Sequence, residues 1–347
     1  MEHSITSPIL ITGATGYIAS HIIKLLLEQN YKVRGTVRSL ANKEKYQFLY
    51  ELAPEKNNNL EFVEADLLNP EKWLSAVEGV EYVLHVASPF PMKDPKDEDE
   101  VIRPAVEGTL NVLKAAAEKG VKKVVVTSSV AAIYNGHIGR EVGPEDWSIE
   151  EKCNAYSKSK LKAEKAAWEF LEQNKEKFEM ATVNPSLVIG PLFASNKGTS
   201  EQIIADILTG KTPGLPRFSV GLVDVRDVAE CHIKALFSKE SHKKRYICSA
   251  QSVWMGDIGT ILKEEFGKHG YKVTTMNLGK FIMKIASFFD KRAKNVLPEL
   301  DIERKFNNEL SKLELGINYR DIKESLVEMG YSLIKVGVVP QLNKERK

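Results

Sequence analysis

Ile9-Leu10-Ile11-Thr12-Gly13-Ala14-Thr15-Gly16-Tyr17-Ile18-Ala19 is the stretch on which the reading of this chain turns. Ile9 to Ile11 is a short apolar run of the kind that forms a fully buried strand. A Gly-x-x-Gly turn follows at once, and then Ile18, Ile22, Ile23, Leu25, Leu26 and Leu27 recur at helical spacing. Strand, glycine turn and helix in that order form a cradle for a pyrophosphate. The glycines let backbone approach the phosphates, and the helix N-terminus presents free N–H groups with partial positive charge. The candidate cradle residues are Thr12, Gly13, Thr15, Gly16, Tyr17 and Ile18. The third glycine of the dinucleotide fingerprint is replaced by Ala19, whose methyl still permits close packing of helix on strand. The bland alternative is an ordinary strand-to-helix turn; the rest of the chain decides between them.

Outward from this stretch, strands and helices alternate. Strands are expected at Tyr31–Val37, Leu60–Ala65, Tyr82–Val86, Lys123–Thr127 and Met180–Val183, with helices at about Glu44–Leu52, after Asn69-Pro70, Val101–Glu118 and Ala155–Gln173. Near-continuous apolar strands separated by helices mean a parallel sheet covered on both faces, a doubly wound Rossmann-type α/β fold. Past Pro185 the alternation loosens around Gly190-Pro191, Gly210, Pro213, Gly214 and Pro216. Leu222–Val225, Arg226–Phe237 and Tyr246–Ser249 read as strand, helix and strand. Met255–Phe266 and Asp321–Met329 read as helices. The expected division is a dinucleotide-binding domain over 1–187, joined again by about 222–250, and a smaller, mostly helical substrate lobe over 188–221 and 251–347.

The formal net charge is +2 over 347 residues, and lysines and arginines are interspersed with carboxylates. No basic stripe suited to nucleic acid or an anionic membrane is evident. The most membrane-like segment, Phe281–Phe289, is broken by Lys284 and falls well short of the roughly 20 residues a span needs. Three cysteines, Cys153, Cys231 and Cys248, lie far apart, with no CxxC pair. A disulfide framework and a zinc site are therefore not expected, and a reducing compartment is. His85 and His232 lack a second ligand at useful spacing and read as packed or capping histidines rather than metal ligands. These features point to a cytoplasmic protein, monomer or homodimer, whose partner is a small molecule.

The dinucleotide's identity is read at the end of the second strand, where an acidic residue would bond a ribose 2′-hydroxyl. The run Val33-Arg34-Gly35-Thr36-Val37-Arg38-Ser39 contains no carboxylate, and Arg38 stands where the acid would be. A guanidinium there can grip a 2′-phosphate bidentately and stack on adenine, which points to NADPH. Lys43 and Lys45 are candidates for a second cation. Asp66 and Leu67, ending the third strand, would flank the adenine, unless Asp66 caps the helix opened by Pro70.

A Tyr-x-x-x-Lys pair places phenol and amine on one helix face. A neighbouring ammonium favours phenolate, so the phenol can exchange a proton with a carbonyl or alcohol oxygen. The spacing occurs three times, at Tyr156/Lys160, Tyr319/Lys323 and Tyr331/Lys335. Only the first follows a strand end, Thr127-Ser128-Ser129, and opens a helix leading to the next strand; the other two read as coincidental surface pairs. Ser129 could donate to a substrate oxygen or simply cap a turn.

Gly13-x-x-Gly16, Arg38, Asp66-Leu67, Ala87-Ser88-Pro89, Thr127-Ser128-Ser129, Tyr156-x-x-x-Lys160, Asn184-Pro185 and Asp224-Val225-Arg226-Asp227 occur in order. Together they resemble the extended short-chain dehydrogenase/reductases, and more narrowly the dihydroflavonol-4-reductase-like group. That resemblance covers the chain to about Ser332 and implies an NADPH-dependent reductase acting on a carbonyl substrate. It implies Tyr156 as general acid, Lys160 on the nicotinamide ribose lowering the tyrosine pKa, and Ser129 orienting the carbonyl. It places Val86, Ala87, Ser88, Pro185, Leu187 and Val188 around the nicotinamide, and Phe90 and Tyr134 near substrate. The Asn-Trp-Tyr-Cys-Tyr signature of cinnamoyl-CoA reductases is absent, and Tyr134 replaces the asparagine of plant dihydroflavonol reductases. Asn154-Ala155-Tyr156 and Val223-Asp224-Val225-Arg226 look most like methylglyoxal or aldehyde reductases. A nucleotide-sugar epimerase or dehydratase, or a non-catalytic dinucleotide-binding protein, would share the fold; Arg38 speaks against the first and the intact Ser129/Tyr156/Lys160 set against the second.

Overall fold

The structure, a computed structural model, describes residues 6–89, 97–175, 177–195, 198–289 and 291–342. Its strands are β1 (Ile9–Ile11), β2 (Val33–Val37), β3 (Leu60–Glu64), β4 (Tyr82–His85), β5 (Lys123–Thr127), β6 (Glu141–Val142), β7 (Glu179–Pro185), β8 (Leu187–Ile189), β9 (Leu215–Pro216), β10 (Ser219–Asp224), β11 (Arg245–Cys248), β12 (Gln251–Trp254), β13 (Asn277–Leu278) and β14 (Lys305–Phe306). Its helices are α1 (Tyr17–Glu28), α2 (Gln47–Glu51), α3 (Pro70–Ala76), α4 (Asp99–Glu118), α5 (Ala155–Gln173), α6 (Thr199–Thr209), α7 (Val225–Phe237), α8 (Met255–Phe266), α9 (Lys280–Ala286), α10 (Lys291–Val296), α11 (Glu309–Leu315) and α12 (Ile322–Lys335).

Seven parallel strands form the central sheet in the order β11-β7-β5-β4-β1-β2-β3. Every residue of β1 is buried, as its unbroken apolar run requires of a strand covered on both faces. On one face α1 and α7 seal the core with Ile22, Ile23, Leu26, Val228 and Leu236. On the other, α3, α4 and α5 contribute Trp73, Val112, Leu113, Ala116, Ala167 and Leu171. The strand order reverses between β1 and β4, and in such sheets the ligand crevice lies outside the strand C-termini at that switch point.

The mostly helical C-terminal region also carries a small sheet of its own. β8, β10 and β12 form a separate mixed sheet, with β8 and β10 parallel and β10 and β12 antiparallel. Of the 222–250 segment, β11 and α7 join the central sheet and its helical layer, whereas β10 turns away to the small sheet. Gly221 allows this: a Cβ there would meet Ser249 Oγ at 2.6 Å and Phe306 at 2.8 Å. α6, α8 and α12 pack on the small sheet through Ile204, Leu208, Ile258, Leu262, Leu326 and Leu333. β14 pairs with β6, tying the C-terminal region to the loop between β5 and α5. Among the described residues, no helix is long and apolar enough to cross a membrane.

Candidate active site

The site begins at the end of β1. Thr12 is fully buried, and its hydroxyl accepts from the Val86 and Ala87 amides at 2.9 Å each while lying 2.9 Å from His85 Nδ1. With both lone pairs occupied, the hydroxyl proton must go to Nδ1, so His85 is the neutral Nε2–H tautomer. Burial, and behind it the Lys160 charge, pushes the His85 pKa down to about 3. The hydroxyl of Thr12 therefore clamps the ends of β1 and β4 together across the switch point and is not free for a ligand.

Gly13 follows with φ +67, its amide donating to Thr36 Oγ1 at 3.0 Å. A Cβ on Gly13 would stand 3.0 Å from the Ala87 methyl. Both the left-handed backbone and the close approach demand glycine. Gly35, on β2, is equally constrained: a Cβ there would meet the Ala14 methyl at 2.7 Å and the Phe62 ring at 3.0 Å. The glycine turn thus lies flat between β2 and β4, with the N-terminus of α1 at Gly16 opening beyond it. Tyr17, expected in the cradle, sends its hydroxyl away to the Gly190 carbonyl at 2.6 Å. None of the cradle residues Thr12–Ile18 carries a charged side chain.

Arg38 lies just past β2, exposed, and forms no ion pair or hydrogen bond with the described residues. Lys43 and Lys45 are exposed in a single 3-10 turn nearby. Asp66 does not cap α3, whose N-cap is Asn69; its carboxylate instead accepts the Leu68 amide at 3.0 Å in a local turn, and its carbonyl takes the Trp73 indole N–H. Leu67 packs against Gly108 on α4, and Asn111 donates to its carbonyl.

The reacting groups stand at the C-terminal end of β5. Asn154 caps α5, its Oδ1 accepting the Ser157 amide at 2.9 Å, and this starts the helix with Tyr156 in its first turn. Ser129 caps the 3-10 turn after β5 through the Ala131 amide, reaches the Pro185 carbonyl at 3.5 Å, and is hydrogen-bonded to the Tyr156 phenol. It is thus both a turn cap and a partner of the phenol. Burial raises the Tyr156 pKa above its ordinary value, and the Ser129 bond opposes that rise. The expected acidification by Lys160 is not found. Lys160 is itself desolvated, its pKa pulled down to about 8 against the raising influence of Glu164, and its amine forms no hydrogen bond or ion pair with the described residues. Tyr134 is close enough for the Tyr156 charge to act on it, and burial pushes it up to about 12. Its ring is stacked under the Arg304 guanidinium at 4.6 Å and meets Phe306 edge-on. Phe90 lies outside the described residues. Val86, Ala87, Ser88 and Leu187 are half-buried and Pro185 and Val188 buried along the strand ends beside this group. A cavity of about 790 Å³ lined by His21, Arg226 and Phe237 contains none of Ser129, Tyr156 or Lys160 and belongs to a different face.

Of the other two Tyr-x-x-x-Lys pairs, Tyr331 is exposed and bonded to Glu265. Tyr319 is no surface residue: it precedes α12, packs on the core and approaches Ser311 Oγ at 2.7 Å. His232 is buried, its Nδ1 proton going to the Val228 carbonyl and its Nε2 facing the Thr127 hydroxyl at 2.7 Å, as a packed histidine should be. Sequence reasoning missed Thr36, His85 as the partner of Thr12, and Glu164; only Glu164 left a signal, as a carboxylate one turn beyond Lys160 on a buried helix face.

A glycine turn at the switch point, an unpaired arginine past β2 and a Ser–Tyr–Lys group beside them define a dinucleotide-dependent protein. The chain belongs to the NAD dependent epimerase/dehydratase family, matched over residues 9–248. Within it, the chain is 34% identical to cinnamoyl-CoA reductase 1 of Petunia hybrida over 339 residues, covering 96% of this chain and 93% of that protein. It is 32% identical to anthocyanidin reductase of Arabidopsis thaliana over 338 residues, covering 92% and 93%. It also resembles the solved yeast methylglyoxal/isovaleraldehyde reductase complexed with NADPH, at 30% identity and a TM-score of 0.77, over 94% of this chain and 98% of that one. The resemblance to reductases of the dihydroflavonol type drawn from the motifs is borne out by these relatives.

Proposed function

We propose that this chain is an NADPH-dependent reductase of an aldehyde or ketone, with Tyr156 as the proton donor. The observation that carries the reading is the contact of Ser129 with the Tyr156 phenol, one helical turn from a free, buried Lys160 amine, at the strand ends next to the glycine turn. The residues present fit the cofactor: Gly13 closes the turn on Ala87, where a Cβ would stand at 3.0 Å, and leads into the N-terminus of α1, and Arg38, just past β2, is unpaired. Gly13, Thr15, Gly16, Ile18 and the α1 amides would hold the pyrophosphate. Arg38, Lys43 and Lys45 would hold the 2′-phosphate, with Asp66 and Leu67 beside the adenine. Lys160, Val86, Ala87, Ser88, Pro185, Leu187 and Val188 would position the nicotinamide end. Thr12 and Tyr17 act here as supports of the turn, through Val86, Ala87 and Gly190.

Bound NADPH supplies a hydride to the carbonyl carbon. The protein's part would be the accompanying proton, passed from the Tyr156 phenol to the carbonyl oxygen so that the carbonyl becomes an alcohol. A phenol held up by burial is protonated near neutral pH, as an acid must be before it acts. When the proton leaves, Ser129 donates to the phenolate. The substrate class is a small aldehyde, an α-ketoaldehyde or a dihydroflavonol-like carbonyl. Tyr134 makes the wall beside it more apolar than an asparagine would. The division of labour follows: 1–187 with part of 222–250 for the cofactor, 188–221 and 251–347 for the substrate. Purified protein given NADPH and a panel of aldehydes, α-ketoaldehydes and ketones should consume NADPH in step with alcohol formation. Absence of turnover across the panel, or tightly held NAD⁺ in the purified protein, would overturn the reading.

A further inference from the structure

One turn beyond Lys160, on the same buried face of α5, Glu164 is 2% exposed. Its Oε1 accepts from Arg245 Nε at 2.6 Å and from the Trp168 indole at 3.2 Å. Its Oε2 accepts from Asn184 Nδ2 at 2.8 Å and from the Ser128 hydroxyl. Thr182 Oγ1 lies 3.3 Å away and also 2.9 Å from Asn184 Oδ1. One carboxylate thus gathers groups from the end of β5, from β7 and from β11. The first two run directly into the site. Ser128 precedes Ser129; Asn184 precedes Pro185 and also donates to the Ser129 carbonyl at 3.3 Å. Arg245 is locked in turn by the Pro144 and Asp146 carbonyls, both at 2.6 Å, and by the Trp147 ring at 3.8 Å.

Such a pair is a poor way to gain stability. Each buried ion loses several kcal/mol of hydration, which the partner's attraction repays only when every remaining polar group is bonded. Arg245 Nη2 is buried without a partner, so even this repayment is incomplete. An apolar pair of equal volume would serve a core better. The position explains the choice.

Resting on the reductase reading above, we infer that Glu164 is a positioning residue for the reaction: its carboxylate fixes the strand ends bearing Ser129 and Pro185 and sets a negative charge one helical turn behind the Lys160 amine. The groups facing Lys160 are few. On its own helix the charge acting on it is that of Glu164; from β4 comes His85, held neutral. The charged residues of α4, which packs against α5, are all exposed (Asp99, Glu100, Arg103, Glu107, Lys114 and Glu118), and its N-cap Glu98 pairs with Lys158. Glu164 is therefore the carboxylate that keeps a desolvated amine charged. Replacing it by glutamine removes that support and also strands Arg245 as a second buried cation. Both effects drive Lys160 to lose its proton at lower pH.

The test is a pH profile from about pH 6 to about pH 10 for kcat/KM and for NADPH affinity, read by fluorescence of the bound nicotinamide. In the unaltered protein both should fall as pH rises through about 8. In Glu164→Gln the fall should begin about one pH unit lower, giving a roughly five-fold loss against the unaltered protein at about pH 8, growing toward ten-fold by about pH 9, and almost none at about pH 6. A residue that merely braced the fold would lower activity equally at every pH. Arg245→Gln, which leaves the carboxylate facing Lys160 alone, should move the fall to higher pH and serves if Glu164→Gln does not fold. An unmoved profile in a folded variant, or both variants moving it the same way, overturns the inference. Unaltered protein that binds NADPH with this profile but reduces no carbonyl overturns the reductase reading instead, and the affinity profile still tests Glu164.

Discussion

Thr12→Val tests whether the clamp across the switch point holds the cradle. Valine matches threonine in shape, so no cavity opens and no side chain is crowded; the change is purely one of polarity. Three groups lose their partner: the Val86 and Ala87 amides and His85 Nδ1, all bonded to this hydroxyl at 2.9 Å. A buried polar group left without a partner costs about 1–3 kcal/mol. Val86 and Ala87 are half-buried and can recover some water, so their share lies at the low end, whereas His85 is enclosed. The sum is about 3 kcal/mol. Thr12→Ser keeps the hydroxyl and gives up only a methyl, which costs about 1 kcal/mol. Urea unfolding followed through the fluorescence of buried Trp73, on the opposite face of the same sheet, reads the difference. NADPH affinity should weaken in parallel, because Ala87 is the neighbour that Gly13 leans on. If Thr12→Val unfolds within about 0.5 kcal/mol of Thr12→Ser, the three bonds do not carry the weight assigned to them and the reasoning is refuted.

Arg38→Ser should weaken NADPH binding about ten-fold or more at low salt while weakening NADH binding far less, because the guanidinium has no internal partner and its charge answers to the 2′-phosphate, leaving only adenine stacking in common; equal losses for both cofactors would place the phosphate elsewhere. Gly13→Ala should cost about 1–2 kcal/mol of stability for the left-handed backbone and should also weaken NADPH binding, since the new methyl presses on the Ala87 methyl at 3.0 Å and shifts the turn; titration calorimetry with unchanged affinity would contradict this. His21, His85 and His232 are buried and neutral, with pKa values lowered to about 4, 3 and 4. Groups with depressed folded values take up protons on unfolding below the ordinary histidine value of about 6.5, so stability should be full above that pH and fall as pH drops toward about 4, by at most about 1.4 kcal/mol per pH unit for each histidine. Urea midpoints that stay level between about pH 7 and about pH 5 would show that these rings are solvated.

The parts of the molecule that were legible from sequence are those whose signal is local. α5 and α8 begin and end where periodicity and caps place them, at Ala155–Gln173 and Met255–Phe266. The apolar runs of β1, β4 and β5 identify a sheet buried on both faces because no other environment tolerates them. The small sheet was not legible. β8 and β12 are three and four residues long, and their pairing with β10 depends on Gly221 allowing Phe306 and Ser249 to close in from distant points of the chain. The same limit applied to the site. Tyr156, Lys160 and Ser129 declare themselves by spacing after a strand end. The partner of Thr12 lies 73 residues away and that of Glu164 lies 81 residues away, so neither bond has a local signature. The Tyr156 pKa direction also escaped, because spacing to Lys160 says nothing of how deeply both are desolvated. Asp66 and Tyr17 showed the opposite failure: each occupies a familiar motif position yet turns its side chain to its own fold.

The claim on which the account rests is that the Tyr156 phenol delivers the proton while Lys160 and the glycine turn hold the cofactor. The most direct measurement is single-turnover reduction of a carbonyl substrate by NADPH-loaded protein, unaltered and with Tyr156→Phe, alongside NADPH affinity for both. Removing a positioned acid should slow the step by about 10²–10⁴-fold and leave cofactor affinity little changed. A Tyr156→Phe protein that reduces the carbonyl at the unaltered rate, with NADPH bound as before, would contradict it.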